Sequence, residues 1–253
     1  MLSLLRRWRE RRILARHSIA EADWREALEA PCLQRLSVSE QARLRVLATF
    51  LLHEKALEPV QGLSLTSAMR ARLAALACLP ILNLGLRWYR DWHSIVLYPD
   101  LFVPKREVVD AAGVIHRVHA PLLGEAWQRG PVILSWAGVA ESGAPPGHNV
   151  VIHELAHKLD MLNGEANGFP PLHGRMSRRT WSRTFQAAYQ ALERRMAMGY
   201  PPPLNPYALE NPGEFFAVAS EAFFETPRVI RDFDPALYKQ LSLFYKQQPI
   251  SAL

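Results

Sequence analysis

The run His153-Glu154-Leu155-Ala156-His157 constrains this 253-residue chain more than any other segment. Two imidazoles four residues apart reach one metal ion only if the backbone between them is helical, because positions i and i+4 then share a face. The glutamate after the first histidine falls toward the open side of such an ion, where a carboxylate can take a proton from water. This is the HExxH arrangement of zinc peptidases. The preceding stretch reads as a helix start, with Asn149 as N-cap. Val150, Val151, Leu155 and Leu159 would be carried into the core. The alternative is an amphipathic helix whose two histidines are only hydrogen-bonded.

A catalytic zinc takes three protein ligands and keeps a fourth position for water. A third histidine six residues after the second is absent. That position is Asn163, and the place of the expected intervening glycine is taken by Asp160. A glutamate from a second, downstream helix remains, and Glu214 in Asn211-Pro212-Gly213-Glu214-Phe215-Phe216 is the best candidate. Asn211 suits an N-cap and Pro212 a first turn, so Glu214 also fits the acidic place of a capping box. Glu221 lies seven residues on, on the same helix face, among Phe215, Phe216, Val218, Phe223 and Phe224. A carboxylate there needs a partner. It either supports a ligating histidine or pairs with an arginine. Tyr207, seven residues before Glu214, is positioned to donate to an oxyanion or else to pack in a Pro-rich loop. Asp160 follows His157 by three and either orients a ring or closes the helix.

Two segments carry a family resemblance, densest over 148–165 and 205–249. Gly147-His148-Asn149-Val150-Val151-Ile152-His153-Glu154-Leu155-Ala156-His157-Lys158-Leu159-Asp160 resembles the active-site helix of the Mlc titration factor A family. Asn211-Pro212-Gly213-Glu214-Phe215-Phe216-Ala217-Val218-Ala219-Ser220-Glu221 is similar to that family's second site helix. The match is looser in the N-terminal third, where Leu44–Leu57 still fits. The resemblance implies a gluzincin-type zinc metallopeptidase, with one zinc held by His153, His157 and Glu214. It implies Glu154 as general base and Tyr207 as oxyanion donor. It further implies weak aminopeptidase-like activity on a peptide or protein substrate. The implied partner is a transcriptional repressor of glucose-uptake genes.

Composition bounds the remaining classes. Hydrophobic residues make up 49% of the chain, enough for a sizeable core, and 253 residues allow one large domain or two small ones. No apolar run reaches the roughly 18 residues of a membrane span. Charge interrupts the start, Met1–Arg9, too soon for a secretory signal, and its basic amphipathic character reads as a solvated helix. Cys32 and Cys78 form neither a metal spacing nor a disulfide framework, as in a reducing cytoplasm. The net charge of +6 comes largely from arginines in 6–16 and 175–195. No helix-turn-helix, zinc-finger or RNA-binding motif accompanies them, so a solvated basic face is expected rather than direct nucleic-acid binding.

Residues 1–90 read mainly as helices. One starts at Ser39-Glu40-Gln41 with Leu44, Leu47, Leu51 and Leu52 at helical spacing, and one covers Thr66–Leu79 until Pro80 stops it. Ser94–Tyr98, Gly113–Val118 and Gly130–Trp136 read as strands. The last is either an edge strand able to pair with an extended peptide or a plain core strand. Residues 137–147 and 165–180 read as loops. Trp181, Phe185, Tyr189, Leu192 and Met196 mark a helix ending near Gly199, and Leu237, Leu241, Phe244 and Tyr245 mark a tail helix. The expected architecture is an α+β, zincin-like domain over 91–253 with a mainly helical portion over 1–90. The expected chemistry is zinc-assisted peptide hydrolysis. The competing reading is a regulatory protein that sequesters a repressor, with a structural zinc site closed by a fourth ligand from His148, Asp160 or Glu221.

Overall fold

The structure is a computed structural model that describes residues 2–102, 106–109, 115–118, 123–144 and 146–250. The chain begins with α1 (Leu2–His17), α2 (Glu21–Ala27), α3 (Pro31–Gln34) and α4 (Val38–Glu54), then β1 (Ala56–Pro59) and α5 (Ser67–Cys78). Five strands follow: β2 (Ser94–Tyr98), β3 (Arg106–Val109), β4 (Ile115–Val118), β5 (Gly124–Ala126) and β6 (Val132–Ser135). The last part is helical, with α6 (Trp136–Glu141), α7 (Val150–Asp160), α8 (Arg178–Ala197), α9 (Pro212–Glu225), α10 (Pro227–Phe233) and α11 (Pro235–Tyr245). No helix among the described residues is long and apolar enough to cross a membrane.

Side-chain caps start these helices where the sequence offers them. Ser37 and Glu40 form a reciprocal capping box at α4, so that helix begins slightly earlier than expected. Thr66 caps α5, Asn149 caps α7, Ser177 caps α8 and Asn211 caps α9. Each satisfies an amide that the first helical turn cannot. The loop read over 137–147 is corrected. Its first half is α6, whose cap Ser135 accepts from the Gly138 amide at 2.9 Å.

The α+β class holds, with one mixed sheet. Its order is β1-β2-β6-β5, the first three strands parallel and β5 antiparallel to β6, while β3 and β4 form a separate antiparallel pair. Parallel neighbours need a crossover, and α5 lies in the connection from β1 to β2. Of the two readings of 131–136, the structure selects the interior one, because β6 is hydrogen-bonded on both sides. The strand at the sheet edge beside α7 is β5, which the sequence reading did not identify. The strand read over Gly113–Val118 is described as β4 from Ile115; Gly113 and Val114 lie outside the described residues.

α7 packs against α9, α5, β5 and β6 and is buried on almost every side. Val150, Val151, Ile152, Leu155, Ala156 and Leu159 enter the core. Lys158 is also buried, and its ammonium donates to the carbonyls of Trp127 and Gly130, the latter at 2.8 Å. Those carbonyls belong to the turn between β5 and β6. Lys55 and Lys158 both approach the face of Trp92, with Nζ 4.4 and 5.9 Å from the ring centroid. Burial, reinforced by the neighbouring Lys55 charge, pulls the Lys158 pKa down to about 8. The edge hairpin is thus anchored to α7 by a desolvated lysine.

Candidate metal centre

One turn of α7 presents His153 and His157 together, with their ring centroids 4.8 Å apart. Glu214 comes from the first turn of α9, where Asn211 Oδ1 accepts the Glu214 amide at 3.0 Å. The capping-box reading is therefore half met. The cap exists, but the Glu214 carboxylate reaches across to α7. Its Oε2 lies 3.0 Å from His153 Nε2 and 3.2 Å from His157 Nε2, and the two Nε2 atoms are 3.2 Å apart.

This triangle matches the chemistry of a zinc donor set. Bonds of about 2.0–2.1 Å in a tetrahedral site place neighbouring ligand atoms roughly 3.3 Å apart. Two imidazoles and one carboxylate suit zinc. Among the described residues no other group of three or more His, Cys, Asp or Glu side chains forms such a cluster. The trio is 10–16% exposed at the side chain, so it opens to solvent. Of the candidates for a fourth ligand, none joins the cluster. Glu221 instead sits on the far side of His153, with Oε1 2.7 Å from Nδ1.

That contact identifies the partner of Glu221: it is His153, one of the candidate ligands, not an arginine. A carboxylate on the second ring nitrogen fixes the tautomer that leaves Nε2 for a metal. The other oxygen of Glu221 accepts the Asn149 amide at 2.6 Å and lies 3.4 Å from His148 Nδ1. Asn149 also caps α7 through the Ile152 amide and donates Nδ2 to Glu225 Oε1 at 2.6 Å. Two carboxylates one turn apart on α9 thereby hold the N-terminus of α7, where a helix favours negative charge.

The ionisation pattern follows from this packing. Burial favours neutral His153, but the carboxylates of Glu221 and Glu214 outweigh it and raise its pKa well above the usual imidazole value. Burial alone would raise the Glu214 pKa, yet the two histidines hold it down at about 2. For Glu154 the balance runs the other way. Burial raises its pKa, and the neighbouring imidazoles oppose that only in part. An elevated carboxylate pKa suits a group that must accept a proton and return it.

Glu154 is enclosed by the edge strand. A Cβ added at Gly124 in β5 would lie 2.6 Å from both Cγ and Oε1 of Glu154 and 2.8 Å from Val150. Only a residue without a side chain lets the strand come this close. Gly124→Ala is therefore expected to displace either the strand or the Glu154 carboxylate. The measurable outcome is a lowered Tm; a wild-type Tm would mean that the strand yields freely.

Tyr207 lies in a 3-10 turn, Pro206–Leu209, rather than in an open loop, and is 48% exposed. Its ring centroid is 6.1 Å from that of His153. Asp160 ends α7 and is not solvated. It is wholly buried, and its Oδ2 accepts the Gly168 amide at 2.7 Å.

A helix presenting two histidines, a second helix supplying a glutamate and an antiparallel edge strand against the intervening glutamate define a zincin-like metallopeptidase domain. The model of the glucose-regulated metallo-peptidase M90 family matches residues 5–246, and the chain belongs to that family. It is similar to the protein named Mlc titration factor A from Yersinia enterocolitica, 39% identical over 235 residues that cover 92% of this chain and 88% of that one. Proteins of the same name from Yersinia pestis and Yersinia pseudotuberculosis match at 39% identity, over 92% of this chain and 87% of theirs.

Proposed function

We propose that this chain is a zinc-dependent peptidase of aminopeptidase-like type. The observation that carries this reading is the triangle of His153 Nε2, His157 Nε2 and Glu214 Oε2 beside a buried Glu154 that no ligand needs. A zinc ion held there supplies the Lewis acidity that makes water a nucleophile near neutral pH. The chain's own groups do the rest. Glu154 accepts the proton of the attacking water and passes it to the leaving amine. Tyr207, exposed and with its ring 6.1 Å from that of His153, donates its hydroxyl to the oxyanion of the tetrahedral intermediate. The edge of β5 not paired with β6 offers main-chain groups to an extended peptide, beside Gly124, where the backbone passes closest to Glu154. Glu221 keeps His153 in the ligating tautomer.

The test is metal analysis paired with hydrolysis of amino-acid and peptide reporter substrates. One equivalent of zinc and turnover that a chelator abolishes and added zinc restores are expected. Chelator-insensitive turnover, or no zinc after metal-replete purification, would sink the reading.

A second role rests on the relatives' name, titration factor of Mlc, with identity spread over 92% of this chain. The chain would bind a repressor of that kind, and the two roles are separable. Binding of purified repressor that survives both chelation and Glu154→Gln would assign the contact to a surface independent of hydrolysis. Binding lost with zinc would make the cleft itself the contact.

A further inference from the structure

We propose that Asp160 is a positioning residue for Glu214, acting through the loop that ends at Phe169. The idea rests on the zinc-site reading above. Asp160 occupies the last position of α7, one turn after His157, and carries a wholly buried carboxylate. Burial pushes its pKa up to about 6, and the Gly168 amide, the nearby His157 and the amides of Asn167 and Phe169 work against that shift. A carboxylate placed here at such a cost is held by a loop, not by a lysine or arginine.

The loop in turn grips α9. Gly168 has φ +75, and a Cβ on it would lie 2.5 Å from the Pro212 carbonyl oxygen. On the opposite side, a Cβ on Gly213 would lie 2.9 Å from the Ala166 carbonyl oxygen. Two glycines therefore let two backbones touch, and neither tolerates a side chain. The carbonyl of Gly168 is fixed independently by Trp181 Nε1 at 2.9 Å. Pro212 and Gly213 immediately precede Glu214 and form the first turn of its helix. The path runs from the end of α7 through Asp160 and Gly168 to the backbone that delivers Glu214.

Besides the contacts of Glu214 and Glu221 with the two histidines, this gives α9 two attachments to α7. Glu221 and Glu225 hold its later turns through Asn149, while the Asp160 loop holds its first. Only the second sits beside Glu214. Releasing it leaves His153 and His157 in place on α7 but lets the carboxylate drift.

The experiment loads wild type, Asp160→Ala, Asp160→Asn, Gly168→Ala and Glu214→Ala with cobalt(II). It records the visible absorption spectrum, zinc affinity by chelator competition, and Tm. Leu51→Ala in α4, a buried core truncation remote from the site, controls for lost stability. Asp160→Ala and Gly168→Ala are expected to weaken zinc binding ten- to a hundredfold and to shift the cobalt bands toward those of Glu214→Ala. Asp160→Asn, which retains an acceptor oxygen for Gly168, is expected to recover most of the wild-type spectrum. Leu51→Ala lowers Tm with the spectrum intact. Wild-type spectra and affinities in Asp160→Ala and Gly168→Ala would overturn the proposal, as would a shifted spectrum in Leu51→Ala. If Asp160→Ala does not fold, Gly168→Ala and Asp160→Asn carry the same comparison. A wild-type spectrum in Glu214→Ala would instead remove Glu214 as a ligand and overturn both readings at their root.

Discussion

Glu154→Gln is expected to retain a full equivalent of zinc and to lose about 10²–10⁴-fold in turnover, the range for removal of a general base. The substitution keeps the shape of the side chain. That matters because Glu154 is 6% exposed and is packed where a Cβ on Gly124 would come within 2.6 Å. A larger or branched replacement would move the edge strand and confuse two effects. Glutamine fills the same space and cannot accept the proton. His153, His157 and Glu214 do not depend on Glu154 for a hydrogen bond, so metal content should not change. Initial rates on a reporter peptide, read beside metal analysis of the same preparation, decide the matter. Undiminished turnover would move the base elsewhere.

Glu214→Ala should show the opposite pattern, with zinc affinity falling by roughly a hundredfold to a thousandfold. Structural zinc sites are worth about 10–16 kcal/mol over four ligands, or very roughly 3 kcal/mol for each. One effect works against the loss. In the metal-free protein Glu214 helps keep His153 protonated, and removing it lowers the pKa of that ring and eases metal entry. This offset is the smaller term, because Glu221 remains at 2.7 Å and continues to favour the protonated ring. Chelator competition at fixed pH measures the net. A loss below tenfold would indicate that Glu214 is not a ligand and that its contact with the histidines is only an ion pair.

Local signals made the two site helices readable in advance. Asn149 and Asn211 are caps whose side chains bond the expected amides, and the i, i+4 spacing of His153 and His157 was enough to place both rings on one face. The placement of Glu214 against them was read from residue type and from a resemblance, since sequence spacing alone says nothing about which helices meet. Glu221 shows the same boundary. The sequence demanded a partner for it, and only packing reveals that the partner is His153.

The missed elements are short and get their identity from neighbours. β5 is Gly-Glu-Ala, without a β-branched residue or alternation, and is a strand because β6 pairs with it. β1 ends in proline and, among the described residues, pairs only with β2. α6 hides in a run that reads as a loop because Gly138 looks like a breaker. A Cβ there would lie 3.0 Å from Leu123, so the glycine answers to packing and not to a turn. The role of Lys158 was equally invisible, because its bonds go to backbone carbonyls thirty residues upstream.

The seam between α7 and α9 is closed by Asn149, Glu221 and Glu225, none of which belongs to the ligand trio. On the proposed zinc reading, these three residues would still join the helices when the ion leaves, unlike in zinc fingers, whose chains collapse without metal. Occupancy of the proposed site would then follow free zinc by mass action, a quantity a cell adjusts without making or destroying protein.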